Sequence, residues 1–103
     1  MFEKFTKYAL YVGLNDKNTK KQEIETHDAI NDIQDMFSAV SVSIIYGAYT
    51  HDDETKVKET TLKIEIIDFA GDTDITNTIY ALKSAFNQEK IAVEKYEILS
   101  ALI

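Results

Sequence analysis

A chain of 103 residues with 45% hydrophobic content has the size and apolar supply of one domain around one core, so residues 1–103 are read as a single domain. Eighteen acidic against eleven basic residues give a formal charge of −7, which disfavours direct nucleic-acid binding, because a phosphate backbone needs a positive surface to displace its counterions. The absence of cysteine excludes disulfides, thiolate metal sites, iron–sulfur clusters and cysteine nucleophiles.

The first strand is read from Thr6, Tyr8, Leu10, Val12 and Leu14, which alternate with Lys7, Ala9, Tyr11 and Gly13. Thr26 is placed as a helix cap with Asp28 in the first turn. Ala29, Ile30, Ile33, Met36, Phe37 and Val40 then share one helical stripe, opposite Asn31, Asp32 and Asp35. Val42, Ile44, Tyr46 and Ala48 alternate again, as do Leu62, Ile64 and Ile66, and the polar THDDETK between the two runs reads as a long hairpin connection. AGDTD supplies a turn and a cap for a second helix carrying Ile75, Ile79, Leu82 and Phe86. Ile91 to Leu99, rich in β-branched and aromatic residues, makes the last strand.

The order β-α-β-β-α-β predicts an α+β fold of the ferredoxin-like type, a four-stranded antiparallel sheet with both helices on one face. The uncovered face should display Tyr11, Ile45, Tyr49 and Ile67. Large apolar groups there point to association, and a homodimer is the expected form. No window approaches the roughly 18 apolar residues of a membrane span. Met1-Phe2-Glu3-Lys4 also lacks the long apolar run of a signal peptide, so the expected compartment is the cytoplasm, with no membrane contact.

YVGLNDKNTKK, residues 11 to 21, has the outline of a phosphate-binding loop but not its parts. Asn18-Thr19-Lys20 stands where Gly-Lys-Ser/Thr is required, and Gly13 has no second or third glycine at dinucleotide-fingerprint spacing. A calcium loop fails because lysines occupy the fifth and sixth positions counted from Asp16. His51-Asp52-Asp53-Glu54 is a charge run of the kind found at solvated loop tips, and His27 stands alone, so neither a metal nor another cofactor is expected. No serine sits in a Gly-x-Ser-x-Gly elbow, and nothing marks any carboxylate pair as buried or converging. Tyr11 and Tyr49 could stack bases, yet TLKIEI lacks the RNA-recognition signature.

YALYVGLNDK, TLKIEI and AFNQEKIAVEKYEI resemble segments of small, poorly characterised proteins from mobile genetic elements and phages of Gram-positive bacteria. The resemblance implies a non-enzymatic antagonist of host defence, such as an anti-CRISPR inhibitor seated on a nuclease. It transfers no functional residue. With no catalytic motif found, the expectation is a non-catalytic protein-binding module for a partner with a basic surface, using Asp52, Asp53 and Glu54 for charge and Tyr11 and Tyr49 as anchors. An equally economical reading leaves those acids solvated and the tyrosines in a homodimer. The alternative function is a small-ligand sensor binding a metabolite at a dimer interface through Asn15, Thr19 and Lys20.

Overall fold

The computed structural model describes residues 1–50 and 53–103, without the side chain of Tyr49. The chain runs β1 (Glu3–Gly13), α1 (Thr26–Met36), β2 (Ser41–Thr50), β3 (Lys56–Ile67), α2 (Ile75–Ala85) and β4 (Ala92–Ser100). The strands form one antiparallel sheet in the order β2-β3-β1-β4, the expected ferredoxin-like α+β arrangement.

Strand alternation sends Tyr8, Leu10 and Val12 of β1, with Leu14 just past its end and Leu62, Ile64 and Ile66 of β3, towards the helices. Ala29 and Ile33 of α1 and Leu82 of α2, together with Phe86 just beyond it, close over them. Met36 ends α1 and is 38% exposed, because Phe37 already has extended backbone angles and the stripe stops there. Thr26 is the first helical residue rather than the cap: Glu25 occupies the cap position without a side-chain hydrogen bond, and the Thr26 hydroxyl accepts from Gln22 at 3.0 Å. Asp74 does cap α2, accepting from the Asn77 N–H at 3.1 Å.

Two features position the site. β1 stops opposite Thr61, with one further bond from the Leu14 N–H to the Thr60 carbonyl at 3.0 Å, so residues 47–50 and 56–59 have only each other as strand partners and project as a two-stranded arm. The molecule is accordingly long, 50 × 26 × 21 Å. The helix-free face also differs from the apolar face expected. Ile45 and Ile67 are half-buried there, but its centre is polar: Lys7 pairs with Glu65 at 2.5 Å, Tyr11 donates to Glu94, and the Lys63 ammonium lies 5.8 Å from the Tyr11 ring centre. Among the described residues no helix is long and apolar enough to cross a membrane.

Candidate functional site

Gly13, the last residue of β1, explains itself through its neighbour. A Cβ placed on it would lie 2.4 Å from Oε1 of Glu59, so the carboxylate of that half-buried side chain rests directly on the glycine. The glycine permits a close approach within the sheet, and no phosphate cradle is involved. Glu59 Oε2 accepts the backbone N–H of Asn15 at 3.0 Å. Among the described residues Glu59 pairs with no cation.

Asn15 and Glu59 separate two clefts. One, of about 440 Å³, is bounded by Gln22, Tyr46, Lys58 and Thr60 on the arm side. The other, of about 530 Å³, is bounded by Lys17, Lys20, Val57, Gln88 and Lys90. A half-buried carboxylate with a single amide donor, standing between two clefts, suits a ligand that brings its own positive charge or a pair of hydroxyls.

Further along the same face Tyr11 joins Glu94. The phenol of Tyr11 holds the Glu94 carboxyl below its ordinary range, with Tyr96 adding to the effect, and the Tyr11 phenol is in turn pushed up to about 12, chiefly by its hydrogen bond to Glu94. At neutral pH Glu94 is therefore an anion and Tyr11 an intact donor. Glu65 is likewise held low, by Lys7.

Of the residues named from sequence, Tyr11 lies at the sheet centre. Asp53 and Glu54 are exposed at the hairpin tip, where Asp53 accepts the Thr55 N–H at 2.9 Å and Glu54 has φ +68°. Seven residue steps along β3, about 23 Å, separate Lys63 beside Tyr11 from Lys56 at the tip, so anchor and acids do not form one patch. Tyr49 lies opposite Val57 on the arm; Asp52 and His51 fall outside the described residues. Asn15 and Lys20 share the larger cleft, whereas the Thr19 N–H is turned onto Asp16 at 3.1 Å. No group of three His, Asp or Glu side chains fit to hold a metal occurs among the described residues. Glu59 was missed by sequence reasoning. Its signal was the lone glycine ending a strand, which marks close approach as readily as a loop.

No protein-family model and no curated protein matches the chain. Among solved structures it is similar to a phage SAM lyase in the apo state, at 27% identity and a TM-score of 0.66, over 95% of this chain and 86% of that one. A phage SAM lyase in complex with S-methyl-5′-thioadenosine shares the fold at 23% identity and a TM-score of 0.62, over 93% of this chain and 90% of that one. The likeness bears out the resemblance to small phage proteins, without bearing on the Gram-positive or mobile-element part of that expectation. It overturns the expected non-catalytic binding module, anti-CRISPR-like or sensory, and with it the expectation that the chain is no enzyme: the apo neighbour is named for a catalysed cleavage.

Proposed function

We propose that the chain is a lyase acting on S-adenosylmethionine and releasing S-methyl-5′-thioadenosine. The observation that carries this reading is the match to the apo phage SAM lyase along nearly the whole chain. The Glu59 site supports it from chemistry, since the substrate brings a sulfonium, an ammonium and a ribose diol to a half-buried carboxylate that has no ion-pair partner among the described residues.

A lyase adds no water, so the bond broken at sulfur must be replaced within the departing fragment. The substrate's own carboxylate oxygen can attack the γ-carbon; the C–S electron pair leaves with sulfur, giving a neutral thioether and a lactone that keeps the ammonium. Atoms and charge balance, and no proton moves. Such a reaction asks of a protein only that it fold the substrate chain into a near-attack shape and strip water from the carboxylate. Charge at sulfur disappears on the way to the transition state, so a carboxylate set against sulfur would favour the ground state. Glu59 is better used on the ribose hydroxyls or the ammonium, which persist through the reaction. Tyr11 and Glu94 extend the polar surface beside it.

The reading extends to a phage or mobile-element protein of a Gram-positive host that acts in the cytoplasm, where consumption of a methyl donor would affect every host enzyme that uses it. The test is incubation of the purified chain with S-adenosylmethionine, followed by chromatography. S-methyl-5′-thioadenosine should accumulate with enzyme concentration above the spontaneous background. A background rate at all enzyme concentrations ends the proposal.

A further inference from the structure

The carboxylate at the centre of the site is aimed by a residue that is itself held from a distance. Asn15 uses both of its backbone groups: its N–H donates to Glu59 at 3.0 Å, and its carbonyl accepts from the Gln88 side-chain amide at 2.7 Å. Gln88 belongs to the turn that follows α2, 73 residues further along the chain. Beside it, the Asn87 amide donates to Asp16 at 2.8 Å, and the Asn87 carbonyl accepts the Lys17 N–H at 3.0 Å. Asn87 has φ +47°, a left-handed geometry that asparagine adopts more readily than most residues. That geometry presents its amide, its carbonyl and the following glutamine to one short segment.

The connection between β1 and α1 needs such a hold. At its start the Leu14 N–H donates to the Thr60 carbonyl at 3.0 Å and the Leu14 side chain is buried, but from Asp16 onward its internal ties, among them the bonds that join Asp16 to Lys20 and Lys21, do not fix it against the sheet. From the Asn87–Gln88 turn come three hydrogen bonds, all within the segment Asn15 to Lys17. Gln88 also donates to the Phe86 carbonyl at 3.1 Å, so its amide is oriented from its own side too.

We infer that Asn87 and Gln88 form a latch that holds Asn15 in place and thereby fixes the Glu59 carboxylate between its two clefts, making them positioning residues for the lyase reaction. The inference rests on the proposed activity for its consequence in catalysis, but not for its structural content. Gln88→Glu keeps the shape of the side chain while replacing the amide donor with an acceptor. Gln88 lies at a turn, half-buried and outside the apolar core, so the variant keeps its fold.

Two measurements decide the matter. In the unliganded protein, NMR should show the Asn15 amide and the Glu59 carboxyl carbon shifting in Gln88→Glu while core resonances such as Leu10 and Ile64 stay in place; unmoved Asn15 and Glu59 signals overturn the latch whatever the protein does. In activity assays Gln88→Glu should lower kcat/KM about fivefold to tenfold alone, and should do almost nothing further in a Glu59→Gln background, since a residue that acts through Glu59 has nothing left to act on. Equal losses in both backgrounds would assign Gln88 a role of its own and overturn the positioning. A wild-type chain that leaves S-adenosylmethionine intact removes the activity reading alone, and the NMR result then judges the latch.

Discussion

Glu65 and Glu59 lie on the same strand and the same face, six residues apart, yet they are treated in opposite ways. Glu65 meets Lys7 at 2.5 Å, has Lys63 nearby, and is held low in pKa by that company. Glu59 lies on bare glycine, takes one backbone N–H, and faces clefts on both sides. Where β3 is flanked by β1 the sheet supplies a cation for its carboxylate; where β1 ends, the carboxylate is left for something from outside. The contrast teaches that a charge already answered within the fold is structure, and one left unanswered at the rim of a cavity is a binding group.

The largest expected effect is therefore asymmetric. Glu59→Gln should lower kcat/KM on S-adenosylmethionine by about 10- to 100-fold, the 1.5–3 kcal/mol of a charge-assisted hydrogen bond. Glu65→Gln should leave turnover within about twofold and alter stability by about 0–1 kcal/mol, as for other partly exposed pairs. Equal losses in the two variants would dissolve the distinction. Gly13→Ala comes next. The atoms that its Cβ would meet at 2.4 to 2.6 Å are the tip of the Glu59 side chain, which can swing aside, so the thermal midpoint should move little while turnover drops about tenfold. Gly47→Ala, with nothing within 4 Å of the new methyl group, should change neither. A Gly13→Ala protein that unfolds would recast the glycine as a fold requirement.

The same comparison explains what could be read in advance. Leu62, Ile64 and Ile66 announced β3 because helices cover that part of the sheet and impose a period of two. Lys56-Val57-Lys58-Glu59 belongs to the same strand, but it lies on the projecting arm beyond the end of β1, where helix cover imposes no pattern, and the sequence shows the strand only in TLKIEI, Thr61 to Ile66. The key carboxylate sits in that silent stretch. Its partners, Asn15 and Gln88, act through a backbone amide and across 73 residues, which no local window reports. The proposed internal displacement by the substrate's own carboxylate would need no nucleophile, metal or proton-transfer pair from the protein, and so would leave no motif in the sequence.

A smaller effect separates the Tyr11–Glu94 pair from the Lys7–Glu65 pair. Tyr11→Phe removes the largest influence holding Glu94 low, so the Glu94 carboxyl titration, followed by NMR, should move up towards the ordinary glutamate range near about 4.3. Glu65 should titrate almost as before, because its chief partner is Lys7. A Glu94 midpoint unmoved by the substitution would show that Tyr96 or Lys63 carries the effect instead.

The smallest effect is one of acid. Asp16 is held below the ordinary aspartate value first by the Asn87 amide and then by the N–H groups of Thr19 and Asn18. A carboxyl whose folded value is depressed stabilises the fold fully only above its unfolded pKa, about 3.9, and that contribution fades as the pH falls through the lower folded value. Between about pH 5 and pH 3 the wild type should therefore lose slightly more stability than Asp16→Asn, which has no proton to gain there. The protection of the Asn15 amide, its exchange measured against the intrinsic rate at each pH, should fall more at the acid end in the wild type than in Asp16→Asn, since protonated Asp16 accepts less well from Asn87. The Lys7–Glu65 pair should loosen over the same range without disturbing Asn15, because Lys7 pairs with Ile67 in the stretch where β1 and β3 run side by side, far from the end of the sheet where Gly13 meets Glu59. Parallel pH profiles for wild type and Asp16→Asn, in stability and in Asn15 exchange, would remove Asp16 from the latch and leave Gln88 to hold the loop alone.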